Sequence, residues 1–146
     1  MNVEPRVAVA ILPVSKTNGA TATGEAIDCL GYDRAHIEIT GTAADAVSNK
    51  ETVMKLQESA TTDASNFADV TDFVGGTAFT IPNSETTVTK PRALFSVDLT
   101  KPRKRYLRVL VSPVTTIIYG GSAFLTKGEE SPSTAAKANV GVLVRG

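Results

Sequence analysis

The segment 101–124 constrains this chain more than any other. Basic residues lead into the β-branched and aromatic run Tyr106-Leu107-Arg108-Val109-Leu110-Val111. After Ser112-Pro113-Val114 comes a second run, Thr115-Thr116-Ile117-Ile118-Tyr119. Both runs carry the residue types that suit a pleated, half-buried surface. The pair is expected to form an antiparallel hairpin at the heart of an all-β domain.

The rest of the chain repeats the theme. Residues 34–40 alternate cleanly: Ala35, Ile37 and Ile39 face one way, and Arg34, His36, Glu38 and Thr40 the other. Residues 52–58 do the same, with Met54 and Leu56 inward and Lys55 and Gln57 outward. Further strands are expected at 6–12 (stopped by Pro13), 26–30, 77–81, 94–99 and 140–144, and 67–70 returns the chain toward the core. Gly120-Gly121 marks a bulge or bend, and 41–50 reads as a loop or one helical turn. No stretch sustains a 3.6-residue period. Short strands with turn signals about every ten residues describe an antiparallel β-sandwich or jelly roll with extended N- and C-terminal segments.

The expected organisation is one body over residues 1–128, whose run 6–12 can also be read as an arm, and an extension over 129–146. The stretch 129–139 is small, polar and weakly patterned. The apolar run 140–144 beyond it has two readings: an arm that docks on a neighbour, or a strand in its own sheet.

Charge narrows the choice of partners. Fifteen basic residues balance fifteen acidic ones, so the composition argues against nucleic acid and anionic lipid. No run approaches the ~20 apolar residues of a membrane span, and the N-terminus lacks the pattern of a secretory signal. Synthesis in the cytoplasm is the expectation. The lone cysteine, Cys29, is expected as a small buried side chain.

Reaction chemistry has few parts to work with. His36 is the sole histidine and sits at an outward strand position, which leaves zinc sites and nucleophilic triads incomplete. Asp63, Asn66, Asp69 and Asp72 recur every three residues, but their loop lacks the glycine and terminal glutamate of an EF-hand. Asx turns are the better reading. No catalytic, cofactor or metal residue is assigned, and no small-molecule substrate. Two basic turns, Thr89-Lys90-Pro91-Arg92 and Thr100-Lys101-Pro102-Arg103, bracket strand 94–99 and should lie about 20 Å apart. Arg103-Lys104-Arg105 enlarges the second. It suits docking onto acidic protein surface or a nucleic-acid backbone, or a charged edge that blocks unwanted strand pairing, which is the reading preferred.

Three motifs carry a resemblance: Leu56-Gln57-Glu58-Ser59, Ser65-Asn66-Phe67-Ala68-Asp69-Val70 and Lys104-Arg105-Tyr106-Leu107-Arg108-Val109. Over residues 25–126 the chain resembles small β-sandwich head proteins of tailed bacteriophages and prophages. Strands of the Tyr-x-Arg-Val kind also occur in discoidin-like carbohydrate-binding jelly rolls. The resemblance implies a non-enzymatic virion component, a cement or decoration protein on the capsid exterior. Its partners would be the major capsid protein and other copies of itself. The residues expected at that interface are Val7, Val9 and Ile11, the basic Lys101, Arg103, Lys104 and Arg105, and the terminal Val140, Val142, Leu143 and Val144. The other readings are a glycan-binding module of a tail or host-surface protein, for which Tyr32, Tyr106 and Tyr119 are the tyrosines to consider, and a neck or tail subunit.

Overall fold

The structure, a computed structural model, describes residues 4–127 and 140–146. Ten strands form two sheets: β1 (Arg6–Lys16), β2 (Ala22–Thr23), β3 (Ile27–Asp28), β4 (Arg34–Gly41), β5 (Val53–Ser59), β6 (Ala68–Val74), β7 (Ala93–Asp98), β8 (Tyr106–Ser112), β9 (Ile117–Thr126) and β10 (Leu143–Arg145). The front sheet has the order β1-β9-β4-β7-β10 and the back sheet β2-β8-β5-β6, with β3 also paired to β8. A single 3-10 turn, Ala64–Asn66, is the helical element among the described residues. The expected all-β sandwich is what the chain forms.

Period-two alternation builds the core. Ala35, Ile37 and Ile39 of β4, Phe95 and Val97 of β7, and Tyr119, Ala123 and Leu125 of β9 point inward from the front sheet. Met54 and Leu56 of β5, Phe73 of β6, and Leu107, Val109 and Val111 of β8 meet them from the back. Phe95 joins the layers by edge-to-face contacts with Phe73 and Phe79, at centroid distances of 5.9 and 5.8 Å. Where aromatics are scarce, such pairs anchor a core otherwise filled by aliphatic residues.

The expected hairpin does not form. β8 lies in the back sheet and β9 in the front, so residues 113–116 cross between layers. Each run has one strongly apolar face, and facing each other across the core buries both. A shared sheet would only set them side by side. Pro13 does not end the first strand either. β1 runs on to Lys16 through register shifts between Val9 and Ile11 and between Ile11 and Val14. Proline is tolerated there because β1 is an edge strand with bulges, where a ladder donor can be missing.

The side of the sandwich is closed at Gly24. Its N–H donates to the Val109 carbonyl at 2.7 Å, and the N–H of Glu25 donates to the Ala10 carbonyl at 2.8 Å. A Cβ on Gly24 would press on both strands, since the Ala10 carbonyl oxygen and the Val109 backbone lie within 3.2 Å of where it would stand. The two residues before Gly24 form β2, paired with β8. The expected strand 26–30 shrinks to β3, and 77–81 is a turn with one bridge, Gly75 to Phe79.

The upper end is held by a buried ion pair. Arg92 donates from Nε and Nη2 to Glu51 at 3.0 and 2.6 Å, and to the carbonyls of Asn83 and Pro82 at 2.9 and 3.0 Å. The Tyr119 hydroxyl donates to Glu51 at 3.2 Å. Burial opposes the Arg92 charge, but the Glu51 hydrogen bonds and field outweigh it and raise the guanidinium pKa. Burial, then the Glu51 charge, pushes the Tyr119 phenol well above its ordinary value. Arg92, read as part of an exposed basic turn, is thus an internal clamp on the 81–92 loop.

Residues 143–145 extend the front sheet alongside β7, in parallel. Val140 and Val144 are core residues, so the second reading of the terminal run applies. The boundary expected at residues 128 and 129, and the connector 129–139, lie outside the described residues. Two predictions follow from the packing. Arg92→Leu should destabilise the protein by about 3–5 kcal/mol in urea unfolding, because it strands the Glu51 carboxylate in the interior. Deleting residues 140–146 should lower stability by about 3 kcal/mol or more, since two buried valines are lost. An unchanged midpoint in either case would remove that element from the account.

Candidate interaction surface

Because strands alternate, each sheet has an outer face as well as a core face. The back one is sealed by its own polar groups. Arg108 on β8 donates from Nε and Nη2 to Gln57 Oε1 on β5 at 2.9 and 2.8 Å, and lies 4.2 Å over the Phe67 ring. Gln57 Nε2 donates to Asp69 on β6 at 2.8 Å, and Lys55 pairs with Asp69 at 3.0 Å. Residues from all three resemblance motifs thus meet in one cross-strand ladder.

The front sheet's outer face is different. Val7 (68% exposed) and Val9 (47%) stand outward from β1, and Ile118 (50%) and Phe124 (44%) from β9, while Leu12 (56%) borders a groove toward Thr21 and Thr23. Val7 is directly opposite Phe124, and Val9 opposite Ser122. Glycine lets these strands approach β4: a Cβ at Gly121 would run into the Glu38 carbonyl oxygen. Above them opens a cleft of about 710 Å³, lined by Pro13, Thr40, Thr87, Val88, Ile118 and Gly120 among others. Beside the apolar strip, β4 presents Arg34, His36 and Glu38, all half-buried. Exposed apolar residues grouped on one face are the usual mark of a protein-binding surface, whereas scattered ones carry no such meaning.

The expected interface residues fall into three sets. Val7 and Val9 point outward, and Lys101 and Lys104 are exposed at the lower end. Ile11, Val140 and Val144 are buried, and Val142 and Leu143 half-buried, so the terminal runs offer less contact surface than their sequence suggested. For Ile11 the reason is the β1 bulge, which turns both Ala10 and Ile11 inward. For 140–144 it is pairing with β7. Arg103 and Arg105 form the third set. The Arg103 side chain is only 10% exposed, lies 5.7 Å over Phe73 and is 3.9 Å from Asp72. Arg105 grips Asp28 through two hydrogen bonds of 2.9 and 2.8 Å. Both clip the protein to itself. Ile118 and Phe124 escaped the sequence reading, because their exposure depends on which sheet face is left uncovered.

The remaining candidates resolve simply. Asp63 accepts from the Ser65 N–H at 2.9 Å and caps the 3-10 turn, an Asx turn as expected. Among the described residues no group of three or more His, Cys, Asp or Glu side chains is placed to hold a metal. Among the described residues no helix is long and apolar enough to cross a membrane. Cys29 is buried, and that burial, with the neighbouring Asp28 charge, pushes its thiol up to about 12. Such a group is almost wholly protonated at neutral pH. Tyr119 is core, while Tyr32 and Tyr106 are half-buried beneath Arg6 and Arg105, at 5.8 and 5.0 Å. Phe124 is the exposed ring. Compared with known proteins, the chain matches no family model, no curated protein and no solved structure.

The Arg105–Asp28 clip has a measurable signature. The Arg105 hydrogen bonds, helped by the Leu30 N–H, hold the Asp28 carboxyl at about 2, below its ordinary 3.8. A depressed acid stabilises the fold above its unfolded value and loses that contribution as pH falls through the folded one, here between about 4 and about 2. Carboxyl NMR titration should place the Asp28 midpoint at about 2, and Arg105→Gln should return it toward 3.8. An unaltered protein titrating near 3.8 would mean the clip is open in solution.

Proposed function

We propose that this protein is a structural component of a tailed-phage virion, a cement or decoration protein that binds the major capsid protein on the outside of the head. The single observation that carries this reading is the asymmetry of the two outer faces. One is closed by a polar ladder, and the other shows an apolar strip and a shallow apolar cleft along β1 and β9. A face of that kind suits another protein surface better than a reaction or a polar ligand. The phage-head resemblance of the sequence motifs points to the same reading.

In this reading the upper part of the face, Val88 and Ile118 in the cleft, supplies the buried centre of the contact. Lys101 and Lys104, exposed on the loop after β7, draw the protein toward acidic lattice surface and mainly set the rate of encounter. A neck or tail subunit would use the same kind of face. Glycan recognition is less well supported, because the tyrosines are covered.

The test is co-sedimentation with heads assembled from the same phage's major capsid protein. Val88→Asp and Ile118→Asp should each weaken binding at least about tenfold, as expected for central contact residues. Their unfolding midpoints should stay close to the parent's, since both side chains already face solvent. Lys101→Glu with Lys104→Glu should slow association and flatten its salt dependence. Undiminished binding by both aspartate variants would overturn the assignment of this face. Binding to purified tails but never to heads would move the protein to the neck or tail.

A further inference from the structure

At the lower end of the front sheet, away from the apolar strip, lies another and smaller cleft. It measures about 220 Å³ and is lined by Arg34, Ser96, Asp98, Lys101, Arg145 and Gly146. Strand register explains why these residues meet. Ser96 stands on the outer side of β7, between the inward Phe95 and Val97, and pairs with Arg145 on β10. Asp98, two residues on, is opposite Arg34 on β4, and Lys101 follows on the loop after β7. Three cations thus converge from three separate elements.

Two things are out of balance there. The first is charge. Arg34, Lys101 and Arg145 take part in none of the ion pairs among the described residues, and Asp98 is the one carboxylate side chain in the lining. Asp98 is already engaged by the Thr100 hydroxyl and N–H at 2.6 and 3.0 Å. Those bonds lead in holding its carboxyl below the ordinary range, and the fields of Arg34 and Lys101 add to them. Three positive charges against one negative leave a surplus of two. The second is a hydroxyl. Ser96 is 1% exposed, and its Oγ has no hydrogen-bond partner. The backbone beside it is spoken for: the Gly146 carbonyl accepts from the Asp98 N–H at 2.7 Å, and the Gly146 N–H donates to the Ser96 carbonyl at 3.2 Å. A buried polar atom left over in this way calls for a partner.

We propose that this cleft binds a small oxyanion, held by the guanidinium groups of Arg34 and Arg145 and the ammonium of Lys101, with the Ser96 hydroxyl donating from the floor. Guanidinium groups present paired donors that match the oxygens of a phosphate or carboxylate. The volume falls below the roughly 300–1,000 Å³ of clefts that hold larger organic ligands, so the occupant is ion-sized. A water would satisfy the hydroxyl but leave the surplus of charge unanswered. Arg145 and Lys101 are exposed, and their long stems let an incoming ion move the charged tips aside to reach Ser96.

Such an ion would fasten the edge of the sheet. β10 is three residues long and joins the front sheet through β7 alone. An oxyanion bridging Arg145 to Arg34 would tie that short strand to β4 across β7, and Lys101 would bring in the loop as well. A ligand that the folded chain binds and the unfolded chain does not adds stability by mass action. The site is independent of the decoration reading, since it uses neither the apolar strip nor the cleft beside Ile118.

The experiment is an amide NMR titration of the full chain with inorganic phosphate up to about 50 mM, a range that covers millimolar dissociation constants. Chloride at matched ionic strength is the control. Phosphate should give saturable shifts centred on Arg34, Ser96, Lys101 and Arg145, and chloride should not. Arg34→Gln and Arg145→Gln should each weaken binding at least about tenfold, because each removes charge-assisted hydrogen bonds. Ser96→Ala should weaken it about threefold, yet leave the urea midpoint in chloride unchanged or raised, since it deletes an unpaired hydroxyl. That contrast separates binding from folding. A variant carrying Glu129→Gln with Glu130→Gln, residues close behind Lys127 in sequence, distinguishes the source of the oxyanion. Phosphate that binds only in that variant would keep the site and give it to a carboxylate of the chain itself. Absence of saturable shifts in both the parent and that variant would overturn the proposal. Equal shifts with chloride, or binding indifferent to both arginine variants, would do the same.

Discussion

A strand gives half its side chains to each side, and everything else in this molecule follows from how those halves are disposed. Ala35, Ile37 and Ile39 cannot be buried without also setting Arg34, His36 and Glu38 on the opposite surface. Two sheets built this way need each other to exclude water, and together they leave two outer faces. The back face resolves its half internally through Arg108, Gln57 and Asp69. The front face does not, because β1 and β9 place Val7, Val9, Ile118 and Phe124 where polar residues would ordinarily stand. The apolar strip is thus the residue of a constraint met on one side of the molecule and left open on the other.

Period-two patterns were legible because they are local. Residues 34–40 and 52–58 declare which side is dry, and the structure agrees in each case. Pairing is not local, and here intuition from chain order fails. β8 and β9 are neighbours in sequence yet belong to different sheets, because their two apolar faces bury more surface opposed than adjacent. The terminal run 140–144 was ambiguous for a related reason. An isolated β-run pairs with whatever edge is free, and sequence does not say that β7 leaves one.

Polar contacts over long separations were the least visible. Nothing near Glu51 hints that Arg92, 41 residues later, will donate two hydrogen bonds to it. The repeated Thr-Lys-Pro-Arg turns looked like surface charge, yet both arginines fold inward, one onto Glu51 and one onto Phe73. Their long stems let a guanidinium reach a buried partner while the lysine of the same turn is free to stay in water. A buried pair of this kind adds little net stability over an apolar substitute but forbids alternative placements of the 81–92 loop. Its role here is specificity, which fixes the rim of the cleft beside Ile118.

Under the decoration reading, the mixed character of the front face has a physical logic. A wholly apolar face would bind strongly but would also drive unselective aggregation in a chain of zero net charge. A wholly charged face would be screened at cellular ionic strength. Interleaving an apolar strip with Arg34, His36 and Glu38 keeps each contact modest and makes it depend on register, since a shifted partner would set an apolar group against a charge. Modest, register-dependent contacts become strong only where many copies and many lattice sites are presented together. A subunit so built stays dispersed until a finished surface offers it repeated partners, and that discrimination needs no switch beyond the geometry of five strands.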